Sequence, residues 1–319
     1  MTNKVIVTGG CGYIGSHVAR AFKMNGDEVL VIDKVLRQHT LKDIDGWHIG
    51  DFADDEALSA MYMIEPDVIV HCAGTSLVGP SMTDPAEYYD NNVVKTIRMM
   101  DSISKWEKRP AIMFSSSASV YGMPDSLPIR ENAAKKPISP YGSTKLTDEM
   151  ILNDYGRAYG IDVVIFRYFN ACGADPHARH GQEPGATHII ARILENYKAG
   201  QDFICNGNDY ETPDGTCIRD YVHVADIADA HILALNQLLV PRGVYNLGTA
   251  QGASNLEVMH TAAHVLKSEF ACVYGPKREG DPAVLTADPA KFVSTANWQP
   301  KYNLTQVIEH AWAWYNRGV

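Results

Sequence analysis

Several features that mark common classes of protein are missing from this sequence. Its six cysteines include no C-x-x-C pair, and none has the spacing to histidine that is typical of a metal site. No apolar run reaches the roughly 20 residues that cross a bilayer. No basic stripe is present, and the net charge of -10 argues further against a nucleic-acid surface. We therefore expect no metal, membrane or nucleic-acid partner, and a cytoplasmic protein with reduced thiols.

Internal repeats and low-complexity tracts are also missing. The first apolar run begins at Lys4, which leaves no room for a signal peptide before it. What remains is an ordinary globular composition: 319 residues, of which 45% are hydrophobic and 21% are charged. A chain of this length can bury a sizeable core, and about two domains are expected.

A glycine-rich turn organises the first part of the chain. The apolar run 4–7 predicts a buried parallel strand, and apolar residues at helical spacing follow from Ile14 to Phe22. The G-x-G-x-x-G pattern between them gives a tight turn, a close backbone approach to a pyrophosphate and close helix packing at Gly15. Taken alone it also fits an ordinary turn. The predicted cofactor contacts from this pattern are Gly9, Gly12 and Gly15.

Two acidic residues at strand ends indicate which dinucleotide is bound. A second predicted strand, 28–32, ends in Asp33 at the distance expected of a residue that binds both ribose hydroxyls of NAD. The same carboxylate would repel the 2′-phosphate of NADP, so NAD is the expected cofactor. A third strand ends at Asp51 and Phe52, where the adenine would lie; a helix-capping aspartate is the alternative interpretation of Asp51.

The next strand and helix contribute polar residues to the same edge. Strand 67–72 runs into the small residues Ala73 and Gly74, which would let the chain pass close to the cofactor. His71 at this strand end is interpreted as structural rather than as an acid or base. A helix predicted over 84–104 contains Asn91 and Asn92, poor helix formers whose side chains are expected to make contacts.

The residues predicted to carry out the reaction lie at a serine-rich strand end and on a helix further along the chain. Strand 111–114 leads into Ser115–Ser119, and downstream Tyr141 and Lys145 are four residues apart on one helix face. A free phenol has a pKa of about 10. A lysine ammonium and a nicotinamide cation nearby would favour the phenolate, and a serine hydroxyl would orient the substrate oxygen. An exposed Tyr–Lys pair is the alternative for that spacing alone.

In their order along the chain, these motifs resemble the UDP-hexose 4-epimerases of the extended short-chain dehydrogenase/reductase family. The resemblance rests on T-G-G-C-G-Y-I-G-S-H, S-S-S-A-S-V-Y-G and Y-G-S-T-K, then on segments at 167–170, 207–210, 214–224, 245–248 and 278–281. It implies an α/β fold, a Rossmann-type doubly wound parallel sheet with a smaller mixed α/β substrate-binding lobe. The expected NAD-binding domain is 1–169, with 221–249 returning to it, and the UDP-sugar lobe is 170–220 and 250–319.

The resemblance also implies roles for individual residues. The catalytic trio is Ser117, Tyr141 and Lys145. Positions that hold NAD are matched by Tyr13, Ile14, Asp33, Asp51, Phe52, Cys72, Ala73, Gly74, Asn91 and Phe169, in addition to the glycines of the turn. Positions that hold the UDP part are matched by Asn170, Arg219, Arg278 and Asp281, with substrate-loop contacts at His188 and Ile189. Two arginines can clamp a pyrophosphate on an acidic protein, although ordinary salt bridging would explain each one alone.

The implied reaction is NAD-dependent 4-epimerisation of a UDP-hexose, UDP-glucose or UDP-galactose, through a transient 4-keto sugar. Epimerisation of UDP-arabinose, UDP-glucuronate or UDP-GlcNAc is the alternative. Leu285 stands at the position that the resemblance associates with room for an N-acetyl group, and it is neither the bulky tyrosine nor a small residue. The sequence therefore does not decide whether N-acetylated sugars are accepted. A 4,6-dehydratase is disfavoured because Ala118 and Ser119 stand where that family carries an Asp-Glu pair. A non-catalytic NAD sensor is disfavoured by the intact trio.

Two departures from the family pattern concern the cofactor. Ser76 replaces a lysine that often contacts it, and Lys95 replaces a glycine. The resemblance further implies a homodimer that pairs helices 84–104 and 143–159.

Overall fold

Seven parallel strands form the central sheet of the protein. The computed structural model describes residues 2–236, 242–269, 271–277 and 281–317. The seven strands are β1 (Lys4–Thr8), β2 (Glu28–Asp33), β3 (Gly46–Ile49), β4 (Val68–His71), β5 (Ala111–Ser117), β6 (Val163–Tyr168) and β10 (Gly243–Leu247). Their order is β10-β6-β5-β4-β1-β2-β3. The order reverses beside β1, so a crevice opens there at the carboxyl ends of the strands.

The helices complete the architecture. They are α1 (Tyr13–Met24), α2 (Asp55–Ile64), α3 (Val78–Ser81), α4 (Pro85–Tyr88), α5 (Lys95–Ile103), α6 (Pro140–Tyr159), α7 (Ile189–Lys198), α8 (Val224–Asn236), α9 (Asn255–Leu266), α10 (Ala290–Ala296) and α11 (Leu304–Tyr315). A short 3₁₀ turn covers Ala118–Val120. Along the described residues, no helix combines the length and apolar character needed to cross a membrane.

Apolar residues alternate along the strands and fill two cores on opposite faces of the sheet. In β1, Val5 and Val7 join the cluster that contains α1 and α8, whereas Ile6 joins the cluster that contains α2, α5 and α6. A strand that is buried on both faces needs this continuous apolar sequence. The doubly wound parallel sheet predicted from the sequence is confirmed.

The second lobe has its own small sheets and core. Its strands are β7 (Asn170–Cys172), β8 (Phe203–Asn206), β9 (Ile218–His223), β11 (Gly252–Ser254), β12 (Cys272–Gly275) and β13 (Val284–Leu285). β9 pairs with β7, β11 and β13, and β12 pairs with β8. The closing aromatic residues Trp314 and Tyr315 are buried in this lobe, and Trp298 is buried against the central sheet. All three therefore act in packing.

The topology changes one detail of the expected domain division. Residues 221–223 belong to β9 in the small sheet, so the return to the nucleotide side begins with α8, which packs on α1, and ends with β10 in the central sheet. We propose the division 1–169 and 224–249 against 170–223 and 250–319. The six cysteines, spread over both parts, are all free thiols.

The helix predicted over 84–104 is interrupted by one wider turn. α4 begins after Asp84, whose side chain accepts a hydrogen bond from the Glu87 N–H, and a π-helical turn over Tyr89–Val94 separates it from α5. The π turn contains Asn91 and Asn92. Such turns add a residue to a helix and are frequent at functional sites, which explains how two poor helix formers are accommodated here.

A buried ion pair connects α6 to the central sheet. The Arg167 guanidinium on β6 donates to both carboxylate oxygens of Glu149 on α6, at 2.9 and 2.5 Å, and both side chains are almost completely buried. Ser116 on β5 donates to the same carboxylate, and Tyr121 accepts from the guanidinium at 2.8 Å. The charges are thus fully satisfied, as buried charges must be.

Removing one partner of this pair should destabilise the fold. Glu149→Ala leaves the Arg167 charge buried and unpaired, and we expect the free energy of unfolding to fall by about 3–5 kcal/mol in urea denaturation. Arg157→Ala is the control on the same helix, because its pair with Asp154 is exposed; it should change stability by about 0.5 kcal/mol or less. Equal effects of the two substitutions would contradict the structural role of the buried pair.

Candidate active site

The glycine turn leaves the first turn of α1 open. Gly9 has a φ of +69°, and a Cβ on it would lie 2.7 Å from the Ala73 nitrogen, while a Cβ on Gly15 would lie 2.2 Å from the Gly9 oxygen. α1 begins after Gly12, which offers no side-chain cap, and its first turn carries no acidic residue. Free N–H groups and the positive end of the helix dipole therefore face the crevice, as a pyrophosphate requires.

Asp33 is held rigidly beside this turn. Its Oδ2 accepts a hydrogen bond from the Cys11 N–H at 2.9 Å and its Oδ1 accepts one from the Val35 N–H at 3.0 Å. Each oxygen keeps a lone pair for a ribose hydroxyl. Asp33 therefore keeps acceptors for a ribose, and its contact with NAD stays a prediction.

Asp51 lies at the end of the neighbouring strand. Its Oδ1 accepts from the Ala53 N–H at 3.0 Å, but the N-cap position of α2 is Asp54, so Asp51 is not the capping residue of that helix. Phe52 is buried next to it, with its ring centroid 4.9 Å from that of His71. His71 itself bonds the hydroxyls of Thr8 and Thr96, and burial lowers its pKa to about 3. His71 is therefore neutral and structural.

The loop after β4 passes directly over α6. A Cβ on Gly74 would lie 2.9 Å from the Asn92 Oδ1 and 3.6 Å from the Lys145 Nζ. Asn92 accepts from the Thr75 N–H at 2.7 Å and donates to the Thr144 hydroxyl on α6 at 3.0 Å. Asn92 thus joins this loop to α6, a positioning role that the sequence indicated only through its unusual asparagine pair. Nearby, Cys72 accepts a hydrogen bond from Ser115.

Ser117 and Tyr141 meet because α6 begins against the end of β5. Ser117 is the last residue of β5 and caps the 3₁₀ turn, and its Oγ accepts from the Ser119 N–H at 3.1 Å. A Cβ on Gly142 would lie 2.6 Å from the Ser119 oxygen, so only glycine allows this approach. The Ser117 hydroxyl lies near the Tyr141 phenol and lowers its pKa.

Lys145 lies one helical turn after Tyr141. Its side chain is buried, and its Nζ lies 4.6 Å from the centroid of the Phe114 ring on β5. The structure therefore brings together all three residues of the predicted catalytic trio, at the edge to which the glycine turn also belongs.

Burial disfavours the charged forms of both Tyr141 and Lys145, which opposes the phenolate expected from the sequence. Burial raises the pKa of Tyr141, and the hydrogen bond with Ser117 is the largest effect in the opposite direction. Burial also lowers the pKa of Lys145, against the nearby charge of Asp148. Burial of the phenol therefore opposes the phenolate, and the predicted activation by Lys145 and a nicotinamide cation would have to act against it.

The residues predicted to hold UDP lie in the second lobe. Arg219 on β9 is buried and pairs with Asp281 at 2.5 Å. Asn170 opens β7 and is half-buried, and Ile189 opens α7 after the exposed N-cap residue His188. Arg278 lies outside the described residues.

Two aromatic residues connect the lobes. Phe169, between β6 and β7, is buried in a cluster with Ala118 and Val120 of the 3₁₀ turn. The Tyr13 hydroxyl donates to the Gly173 carbonyl at 2.8 Å. The glycine turn is thereby fastened to the loop that leaves for the second lobe, and the crevice has walls from both parts.

The fold and this site define the class of the protein. Residues 5–248 match the family model described as NAD dependent epimerase/dehydratase family. The chain belongs to this family, which confirms the resemblance found in the motifs.

Particular relatives are similar over nearly the whole chain. The UDP-glucose 4-epimerase of Halalkalibacterium halodurans is 39% identical over 319 residues, which cover 98% of this chain and 95% of that enzyme. The structure of UDP-glucose 4-epimerase from Brucella ovis in complex with NAD is 38% identical with a TM-score of 0.91, over 98% of both chains. That from Bifidobacterium longum in complex with NAD+ and UDP is 32% identical with a TM-score of 0.90, also over 98% of both.

The hydrogen bond between Ser117 and Tyr141 gives a testable shift in ionisation. Ser117→Ala removes the interaction that most lowers the pKa of the phenol, so we expect its titration to move to higher pH. Tyrosinate absorbance near about 295 nm, taken as the difference from Tyr141→Phe, isolates this group. Thr147→Val, which removes another hydroxyl of α6, is the control. An unchanged titration in Ser117→Ala would refute the interaction.

Proposed function

We propose that this protein is an NAD-dependent epimerase that interconverts UDP-glucose and UDP-galactose at C4. The observation that carries the proposal is that Ser117 at the end of β5 and Tyr141 and Lys145 on α6 lie at the same edge as an open dinucleotide-type helix terminus. The relatives from Brucella and Bifidobacterium, named as UDP-glucose 4-epimerases with NAD, support it.

The side chains divide the chemistry among themselves. NAD, when bound, takes up the hydride from C4 of the sugar and returns it to the opposite face. Tyr141 removes the proton of the 4-hydroxyl and later returns it, while Ser117 hydrogen-bonds the reacting oxygen. Lys145 binds the nicotinamide ribose and holds positive charge beside the phenol. The N-terminal turn of α6, where Tyr141 lies, adds a favourable dipole for the phenolate.

The nucleotide tail needs its own anchor because the hexose must turn over. Arg219 presents a buried guanidinium whose charge is balanced by Asp281. A diphosphate can replace the Asp281 carboxylate at the Arg219 guanidinium or bind the guanidinium together with it. In either case it gains a charge-assisted, bidentate contact with Arg219. We assign Asn170, Arg219, Arg278 and Asp281 to UDP, and the Bifidobacterium structure, which holds UDP, supports a site of this kind in the family. Tight contacts to UDP and loose ones to the sugar permit return of the hydride to either face.

A 4,6-dehydratase fits the site less well. Elimination of water requires an additional acid and base next to the reacting carbons. Here Ala118 and Ser119 follow Ser117; Ala118 is a buried apolar residue, and Ser119 hydrogen-bonds Ser117 through its N–H and its hydroxyl. The 3₁₀ turn therefore offers no carboxylate, and epimerisation is the better-supported reaction.

Turnover without added cofactor tests this proposal. NAD-loaded protein is expected to convert UDP-galactose to UDP-glucose, followed by NMR of the epimerised product. Tyr141→Phe should lose about 10²–10⁴-fold in kcat, the usual contribution of a general base, while it retains NAD. Tyr159→Phe, an exposed tyrosine of the same helix, should keep full activity. Equal turnover by Tyr141→Phe would remove the role given to its phenol.

We further propose that the protein is a homodimer that pairs α4–α5 and α6 with their copies. Large apolar side chains are exposed on these helices: Val94, Ile97, Met150 and Tyr159. Burial of such side chains against a copy is worth about 1.5–3 kcal/mol each, enough in sum to hold two chains together.

Sedimentation at micromolar concentration is expected to show twice the chain mass of 35.1 kDa. Met150→Arg should shift the protein towards the monomer, because an arginine is poorly accommodated in an apolar interface. Met63→Arg is the matched control, since Met63 is even more exposed than Met150 but lies on α2. A monomeric wild-type protein would overturn this proposal.

A further inference from the structure

Four side chains form a compact polar cluster at one end of the crevice. Lys34 Nζ lies 2.8 Å from Asp51 Oδ2, and Lys95 Nζ lies 2.6 Å from the same oxygen. Both ammonium groups also donate to Asn91 Oδ1, at 2.9 and 3.2 Å. The cluster joins the residue after β2, the loop after β3 and the π turn with the start of α5. It therefore connects three separate segments through one carboxylate.

The order of the strands locates this cluster relative to the cofactor. The open terminus of α1, which suits a pyrophosphate, follows β1 in the middle of the sheet. Tyr141 and Lys145 lie beyond β4, beside β5. The adenosine half of a dinucleotide must then extend over β2 and β3, where Asp33 can accept hydrogen bonds from a ribose. Lys34 is the residue after Asp33, so the cluster lies at the adenosine end.

Its geometry differs from that of an ordinary surface ion pair. The Asp51 side chain is only 13% exposed, against 49% for Lys34 and 23% for Lys95. Burial alone would raise the pKa of Asp51, but the hydrogen bonds from the two lysines lower it to about 2. Because two cations share one half-buried carboxylate and an amide, the cluster is a network, which is worth more than an isolated exposed pair.

The cluster retains free donors and acceptors after its internal bonds are made. Asp51 Oδ1 uses one lone pair on the Ala53 N–H and keeps another, and the Lys34 ammonium has three N–H groups of which two are bonded. Lys95 also bonds Asp51 and Asn91, and its Nζ lies 3.6 Å from Asp90 Oδ2 at the outer side of the cluster. One acceptor beside two donors complements an adenine edge, which offers an amino group next to ring nitrogens. A base can therefore be bound without breaking the network.

We propose that Lys34, Asp51 and Lys95 form an ionic latch at the adenosine end of the crevice, which slows the release of NAD. This inference rests on the proposed function in one respect. It takes the nicotinamide of NAD to lie beside Tyr141, so that the adenosine lies over β2 and β3. It assigns a role to Lys95, whose ammonium reaches across from α5 to the loop after β3. A protein that regenerates its cofactor in every cycle benefits from slow release, because a lost NAD interrupts turnover.

Cofactor release, measured directly, tests the latch. Holoenzyme loaded with radiolabelled NAD is diluted into excess unlabelled NAD, and retained label is followed after rapid desalting. Lys95→Ala should release NAD about 10-fold faster, a loss of about 1.4 kcal/mol. Lys34→Ala should have a smaller effect because its side chain is more exposed. Lys95→Arg keeps the charge and should retain slow release, which separates the latch from a folding defect.

A matched lysine and a salt titration complete the experiment. Lys108→Ala removes an ion pair, 2.7 Å from Asp67, of a lysine as exposed as Lys34, but at the amino end of β4, so its release rate should equal that of wild type. High salt should accelerate release from wild type more than from the Lys34→Ala/Lys95→Ala protein, because the bridge is partly screened. Unchanged release from Lys95→Ala, or equal acceleration by Lys108→Ala, would overturn the latch. Release is measured without sugar, so absence of epimerisation would count against the proposed function alone.

Discussion

The position of the catalytic helix depends on its contact with the end of β5. At the first turn of α6, Gly142 lies against the Ser119 carbonyl so closely that a methyl group would overlap it. Two turns later, the buried Glu149 carboxylate binds Arg167 and Ser116 on the neighbouring strands. A helix held at both points has little freedom to slide or rotate. Catalytic geometry of this kind must be kept within about 0.5 Å, which flexible loops rarely achieve.

Much of this arrangement could be predicted from residue patterns. Continuous apolar strands, the glycine turn and Asp33 indicate a doubly wound sheet with its crevice beside β1, because each of these features acts locally. Tyr141 and Lys145 were predictable for the same reason, since a spacing of four places them on one helix face. The sequence order of the elements then brings them to the edge where Ser117 ends β5.

The contacts between distant segments could not be predicted in this way. Neither the bond from Asn92 to Thr144 nor the pair of Glu149 with Arg167 has a local pattern, since the partners are 52 and 18 residues apart. The position of β9 in the small sheet was also hidden, because a strand followed by a helix looks the same whichever sheet receives it. Lys95 stood out in the sequence only as a departure, and its partners became visible through the fold.

Charge is distributed in the crevice so that an acidic protein can hold two anionic nucleotides. Among the described residues, the cations along it include Lys34 and Lys95 at one end, Lys145 beside the phenol, and Arg219 in the second lobe. Lys34, Lys95 and Arg219 are bound to carboxylates, and Asp148 lies near Lys145, so none of them adds an unbalanced buried charge to the empty crevice. A phosphate or a developing phenolate competes with a carboxylate already in place. Binding therefore exchanges one anion for another, and the net charge of -10 does not prevent it, because the local field within the Debye length of about 8 Å decides the outcome.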